Sequence, residues 1–257
     1  MANLTVASDE VQLAELAAER ITRLIVQAVA DRGSACVSLA GGNTPRRLYA
    51  NLADPTQSWR DRIPWPQVHL FWGDERHVPP DHPDSNYGMA KAALIDHVPI
   101  PADHVHRIRG EMKDPQEAAD DYDRELTRAH AFDLMLLGLG EDAHIASIFP
   151  GSELLEIAIG HPFAGRPDHD HVGRPFTGRR VAAVWAPHLN ARRITLTPAA
   201  ILDSRAILAL VAGARKANAV HAALEAPHDV RKAPAQLLRA AGDRMEWFLD
   251  RSAAARL

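Results

Sequence analysis

The sequence predicts an α/β fold, a largely parallel sheet covered by helices on both faces. Three observations predict it. Apolar segments of strand length are continuous runs rather than alternating patterns, as in strands that are buried on both faces. Most of these runs are separated by segments with helical periodicity. Several runs end directly at a glycine, which marks a turn out of the strand.

The chain opens with a predicted helix, strand and helix. Residues 8–10 are typical of an acidic first helical turn, apolar residues recur behind them at helical spacing, and Gly33 is a typical terminating residue. The apolar run 35–40 predicts a buried strand. After two glycines, Thr44 stands at an N-cap position before Pro45, a residue type favoured at the first helical position.

The same alternation continues through the middle of the chain. The runs 68–72 and 132–137 predict two further strands. Between them, a serine and an aspartate are suitable N-cap residues for predicted helices 85–94 and 114–129, and the second helix has a glutamate at the capping-box position.

The last third of the chain adds strands and one helix. The predicted strands are 181–185, 194–197, 206–211 and 245–249. The predicted helix begins after Gly213 and runs through Lys216 to about residue 225. Residues 160–180, rich in Gly, Pro, His and Asp, predict a long surface loop. Because strands of the same type continue beyond this loop, we expect a single domain over residues 1–257.

The composition is that of a soluble globular protein. Of 257 residues, 46% are hydrophobic and 24% are charged, and the formal net charge is -4 without a block of like charge. We therefore expect neither nucleic acid nor a membrane as partner, and we predict no obligate protein partner. Asp9 and Glu10 do not fit a signal peptide, and the only cysteine, Cys36, stands in an apolar stretch, so we expect a cytoplasmic protein.

Polar or glycine-rich clusters follow four of the predicted strands. They are 41–46, 73–77, 138–144 and 213–216. In α/β sheets, ligands bind outside the carboxyl ends of the strands. The four clusters are therefore expected to meet at one edge of the sheet.

Two of these clusters have the chemistry of an anion site. The glycines before Asn43 and Thr44 let the backbone approach a ligand closely, and the free N–H groups of a helix start suit phosphate. Lys216, in the first turn of a predicted helix, opposes the helix dipole unless an anion is bound. The alternatives are a tight turn with an N-cap and an ordinary surface lysine.

The other two clusters carry ionisable groups. In 73–77, Arg76 can hold an anion in its guanidinium fork, or it can form a surface ion pair with the neighbouring acids. In 138–144, His144 has the composition of a general base, and Asp142 stands two residues earlier, where it can orient the ring. A structural histidine is the alternative.

Other kinds of site fit the sequence less well. Gly138, Gly140 and Ala143 have the spacing of a dinucleotide fingerprint, but Glu141 and Asp142 would then face the pyrophosphate. There is no nucleophile elbow for a serine hydrolase and no zinc motif. Residues 168–171 have a metal-binding composition, but their setting favours a solvated turn. We expect no metal and no cofactor.

Together the clusters resemble the 6-phosphogluconolactonase family, over nearly the whole chain. The matching stretches are 38–45, 72–79, 85–88, 132–151, 193–197, 213–217 and 247–250. Each stretch is a weak signal alone, but their joint occurrence in this order is specific.

The resemblance implies a Rossmann-like fold shared with glucosamine-6-phosphate deaminases and ribose-5-phosphate isomerases. It implies hydrolysis of 6-phospho-D-glucono-1,5-lactone in the pentose phosphate pathway, without metal or nucleotide. His144 would be the general base, and Asp142 would assist it. The candidate substrate-binding residues are Gly42, Asn43, Thr44, Asp74, Arg76, Arg193 and Lys216.

Two departures from the family pattern and two rival functions accompany this resemblance. The family has glycine where Ala143 stands and favours threonine where Ile145 stands. One rival is a sugar-phosphate deaminase or isomerase of the same fold, but deaminases carry a glutamate where this chain has Phe149. The other rival is a non-enzymatic sugar-phosphate sensor, which would need a DNA-binding module that the sequence does not show.

Overall fold

The computed structural model of this chain describes residues 3–127, 131–158 and 179–257. The helices in these ranges are α1 Glu10–Arg32, α2 Asn43–Ala53, α3 Ser58–Arg62, α4 Asn86–Ala93, α5 Pro115–Thr127, α6 Leu154–Ala158, α7 Pro198–Leu202 and α8 Ala217–Leu224, besides 3-10 segments of which the longest is Pro234–Arg244. The strands are β1 Asn3–Ala7, β2 Ala35–Leu39, β3 Val68–Trp72, β4 Asp74–Arg76, β5 Leu134–Leu137, β6 Val181–Ala186, β7 Ala191–Leu196, β8 Ile207–Val211 and β9 Met245–Asp250.

The main sheet is parallel throughout, which confirms the predicted α/β fold. Its six strands lie in the order β1-β9-β8-β5-β2-β3. The chain moves outward from β2 to β3 and then crosses back to β5, so the strand order reverses between β2 and β5. Crevices at such reversal points are the usual ligand sites of open α/β sheets.

A second, antiparallel sheet corrects part of the prediction. The strands predicted at 181–185 and 194–197 are β6 and β7, which pair with each other rather than joining the main sheet. β7 also pairs with β4 on its other side. The amide of Leu196 donates to the carbonyl of Gly73, where the chain leaves the main sheet and enters β4. An apolar run shows that a strand is buried, but it does not show which strand pairs with it.

Two helix starts also differ from the prediction. Helix α2 begins at Asn43, and Gly42 rather than Thr44 is its N-cap. Gly42 has φ 102°, a conformation that glycine adopts readily, so the chain turns into the helix earlier than the Thr44-Pro45 pair suggests. Lys216 ends a 3-10 turn and precedes α8, so it does not lie in the first turn of that α-helix.

Two buried tyrosines hold the carboxyl ends of β2 and β3. The Tyr49 hydroxyl accepts the amide of Ala40 and donates to its carbonyl, both at 2.8 Å. Tyr122 does the same for Trp72, at 2.8 and 3.1 Å. Burial raises the pKa of both phenols, so each stays neutral and can donate. The ends of these strands are thereby fixed where the polar loops begin.

A helix needs about 20 largely apolar residues to span the hydrocarbon core of a bilayer. Within the described ranges, no helix is both long and apolar enough to cross a membrane.

Candidate active site

A cleft of about 400 Å³ lies at the carboxyl edge of the main sheet. Its walls come from the loops after β2, β3, β5 and β8, so the four predicted clusters do meet in space. The polar and glycine residues that line it are Gly41, Gly42, Gly73, Asp74, Arg76, Asn86, Gly138, Gly140, Glu141, His144, Ser147, Arg193 and Lys216.

His144 and Asp142 form a hydrogen-bonded pair at this cleft. The ring Nδ1 lies 2.5 Å from the Asp142 Oδ1, and the His144 side chain is 30% exposed. Partial burial alone would raise the pKa of the Asp142 carboxyl, but the hydrogen bond and charge of His144 outweigh it and lower that pKa. The ionised carboxylate accepts the Nδ1 proton, which leaves Nε2 as the acceptor of the ring.

The loop that carries this pair is closed by its own backbone. The Gly140 amide donates to the His144 carbonyl at 2.9 Å, and the Ala143 amide donates to the Gly140 carbonyl at 3.1 Å. A Cβ at Gly140 would lie 2.0 Å from His144 Nδ1 and 2.5 Å from Asp142 Oδ1. Glycine is therefore required here because the imidazole occupies the space of a side chain.

Ala143 has φ 63°, in the left-handed region, which alanine occupies at a cost of about 1 kcal/mol. We expect the Ala143→Gly variant to unfold at a temperature about 2 °C higher than the wild type. Thermal unfolding followed by circular dichroism measures this change. A lower midpoint in the variant would show that the strain at this position is compensated elsewhere.

Asp74 is held from two sides at the floor of the cleft. Ser147 Oγ donates to its Oδ2 at 2.6 Å, and Asn86 Nδ2 donates to its Oδ1 at 3.2 Å. Asn86 also fits against Gly41, where a Cβ would lie 1.9 Å from the amide oxygen. Both carboxylate oxygens of Asp74 are thus oriented, and its remaining lone pairs can accept hydroxyl groups of a ligand.

Glu75 fastens this wall of the cleft to helix α4. It is 2% exposed, and its carboxylate accepts the amides of Arg76, Asn86 and Tyr87 at 2.7 to 2.8 Å and the hydroxyl of Ser85 at 3.1 Å. Burial raises the pKa of this carboxyl despite these donors. Glu75 therefore fixes the positions of its neighbours Asp74 and Arg76, which both line the cleft.

Arg76 and Arg193 are direct cross-strand partners on β4 and β7. Both line the cleft. Burial and the charge of Arg76 lower the pKa of the half-buried Arg193. Like charges opposite each other on neighbouring strands are destabilising, and a bound anion would remove that repulsion.

Lys216 reaches the same cleft from the end of β8. Burial lowers the pKa of this half-buried ammonium, and the charges of Glu141 and Asp142 act in the opposite direction. A partly desolvated cation facing a cleft is a favourable partner for a phosphate group.

Two of the predicted substrate-binding residues do not line this cleft. Asn43 lines a neighbouring surface groove instead, and Thr44 is half-buried outside the cleft wall. Gly42 does line the cleft, at the N-terminus of α2.

Asn86 and Ser147 lie at the site although the sequence did not single them out. Both stand within stretches that carry the family resemblance, and that is the signal by which they could have been found. Their contacts with Asp74 span 12 and 73 residues of sequence, so local spacing does not reveal them.

Metal binding and cysteine chemistry find no support in the described residues. Among residues 3–127, 131–158 and 179–257, no three His, Cys, Asp or Glu side chains are grouped to hold a metal ion. Residues 168–171 lie outside those ranges. Burial and the nearby Asp133 raise the pKa of the Cys36 thiol to about 11, so it is a poor nucleophile.

Comparison with known proteins gives concordant matches. A family model described as glucosamine-6-phosphate isomerases/6-phosphogluconolactonase matches residues 8–247. A 6-phosphogluconolactonase of Synechocystis is 36% identical over 94% of this chain and 92% of its own, and one of Streptomyces coelicolor is 38% identical over 99% and 94%. The solved structure of 6-phosphogluconolactonase from Trypanosoma brucei is 26% identical, with a TM-score of 0.79 over 100% of this chain and 99% of its own.

Proposed function

Because this chain belongs to the family of glucosamine-6-phosphate isomerases and 6-phosphogluconolactonases, we propose that it is a hydrolase of that family. It opens 6-phospho-D-glucono-1,5-lactone to 6-phospho-D-gluconate, a step of the pentose phosphate pathway. The observation that carries the chemistry is the carboxylate-held imidazole of His144 at a cleft with three cationic side chains.

The reaction needs one base that later acts as an acid. His144 Nε2 takes a proton from water, and the resulting hydroxide adds to C1 of the lactone. As the bond between C1 and the ring oxygen breaks, the same imidazolium returns the proton to that oxygen. Asp142 keeps the ring in the tautomer that leaves Nε2 free, and it stabilises the transient positive charge.

The cations of the cleft orient the substrate. Arg76, Arg193 and Lys216 line a space that the N-terminal edge of α2 closes at Gly42. A phosphate dianion there pairs with all three cations and offsets the repulsion between the two arginines. The negative charges of Glu141 and Asp142 disfavour binding of the phosphate beside His144. The ester end of the substrate is therefore directed to the base.

Arg193→Ala is expected to raise KM about tenfold or more, because a charge-assisted bond to phosphate contributes about 1.5–3 kcal/mol to binding. The kcat should change much less, since the phosphate is remote from the reacting carbon. Steady-state kinetics with the lactone measure both constants.

Arg192→Ala is the matched control for that variant. Arg192 is the neighbouring residue on the same strand, so its side chain points to the opposite face, and its guanidinium lies 5.2 Å from the ring centroid of Trp185. We expect a wild-type KM for this variant. An equal rise of KM in both variants would mean that Arg193 affects KM through the conformation of the strand and not by binding the phosphate.

The proposed function is tested by lactone hydrolysis measured against the spontaneous background, beside ammonia release from glucosamine 6-phosphate. We expect the first rate to rise in proportion to enzyme and the second to stay at background. Phe149 supports this expectation, since it packs 4.6 Å from the His144 ring centroid at the position where deaminases carry a glutamate. Ammonia release without lactone hydrolysis would contradict the proposal.

A further inference from the structure

We propose that Asp250 is a positioning residue that holds Lys216 at the cleft. The proposal rests on the function given above, since it takes Lys216 as a ligand of the substrate phosphate. Asp250 ends β9, on the strand next to β8, and it is only 7% exposed. A buried carboxylate at a strand end requires hydrogen-bond donors, and the partners it has point to its role.

The carboxylate of Asp250 holds two turns. Both of its oxygens lie 3.1 Å from the amide nitrogen of Gly213, and Oδ1 accepts the amide of Ala253 at 2.7 Å. The strands themselves are joined independently, by the parallel pairing that runs from Ile207 with Met245 to Val211 with Leu249. Asp250 therefore restrains the turn after β8 rather than the strand pairing.

That turn leads directly to the lysine. Gly213 has φ 94°, and a Cβ built there meets no atom within 4 Å, so glycine is needed for its backbone conformation and not for space. The Gly213 carbonyl accepts the amide of Lys216 at 3.0 Å, which closes the 3-10 turn Ala214–Lys216. The amide of Gly213 thus donates to Asp250, and the carbonyl of the same residue accepts the amide of Lys216. A single residue therefore connects the Asp250 hydrogen bond to the turn that sets the direction of the Lys216 side chain.

The restraint matters because Lys216 is long, and several rotamers must be frozen for it to reach the cleft. Burial of the ammonium is unfavourable until an anion pairs with it, as the lowered pKa of Lys216 indicates. A released turn would let the side chain move to solvent, where the neighbouring Arg215 already lies and pairs with Glu141. The charged hydrogen bond from Gly213 to Asp250 opposes that movement.

The test is a double-variant cycle on KM for the lactone with Lys216→Ala, Asp250→Ala and the two combined. We expect Lys216→Ala to raise KM about tenfold. We expect Asp250→Ala to raise it about threefold to tenfold with little change in kcat, and the combined variant to equal Lys216→Ala. The inhibition constant of inorganic phosphate should rise in parallel with KM.

Two further variants separate positioning from stability. Asp250→Asn keeps one oxygen that can accept the Gly213 amide, so its KM should lie between those of the wild type and Asp250→Ala. It carries the test if the alanine variant does not fold. Asp243→Ala is the control, an exposed acid shortly before β9.

The outcomes distinguish the two proposals. A KM unchanged in Lys216→Ala would overturn the phosphate role of that lysine, and the positioning role with it. A normal KM in both Asp250 variants would overturn the positioning role alone. The positioning role would also be overturned if the rise of KM in the combined variant equalled the product of the rises in the two single variants.

Discussion

Replacing His144 with alanine lowers kcat for lactone hydrolysis about 10²-fold or more and leaves KM within about twofold. The variant loses the group that takes the proton from water and returns it to the ring oxygen. The cationic residues that bind the phosphate stay in place, so binding changes little. Initial rates corrected for spontaneous hydrolysis measure this effect.

A second histidine offers a control with the same chemistry away from the cleft. His221, on α8, is exposed, and its Nδ1 lies 3.1 Å from the Glu225 carboxylate, so it is also paired with an acid. His221→Ala should keep the wild-type kcat. If instead His144→Ala retained full turnover, the assignment of the base would be refuted.

The Gly140→Ala variant should lose kcat about 10²-fold although every reacting group remains. The new methyl group would lie 2.0 Å from His144 Nδ1, well inside contact distance. The imidazole must therefore leave its present position, and so must the Asp142 carboxylate, whose Oδ1 would lie 2.5 Å from the same methyl group. Since a displacement of about 1 Å costs a reaction about 10²-fold in rate, chemistry fails before binding does.

Gly33→Ala separates this collision from the general effect of replacing a glycine. Gly33 has φ 79° at the end of α1, and a Cβ there meets no atom within 4 Å. This variant should lose stability and keep kcat. Wild-type kcat in Gly140→Ala would show that the imidazole does not need its present position.

Much of the main sheet could be predicted because its strands are buried on both faces and read as continuous apolar runs. The edge strand β1 was missed because most of its residues are exposed, so Asn3–Ala7 carries no such run. β4 was missed because Asp74–Arg76 is charged and is a strand only through its pairing with β7. β4 and β7 lie more than a hundred residues apart in the sequence, so their pairing leaves no local sequence pattern.

The site was predictable where its residues directly follow parallel strands. His144, Arg76 and Lys216 were predicted to meet in this way, since strand ends lie at one edge of the sheet, and the structure places all three at the cleft. Asn86 was missed because it begins a helix and reaches the site through tertiary contacts with Asp74 and Gly41. The position of Thr44 depends on the left-handed backbone of Gly42, which a sequence permits but does not dictate.

The pH dependence of kcat tests the central claim, that His144 is the base, most directly. Because its pKa is lowered, the Asp142 carboxyl stays ionised across the pH range in which histidines titrate. Its own protonation therefore does not change kcat within that range. Because a general base acts only when it is unprotonated, kcat of the wild type should fall along an acid limb of its pH profile. His144→Ala should show only the residual rate without that limb. The same acid limb in His144→Ala would contradict the account.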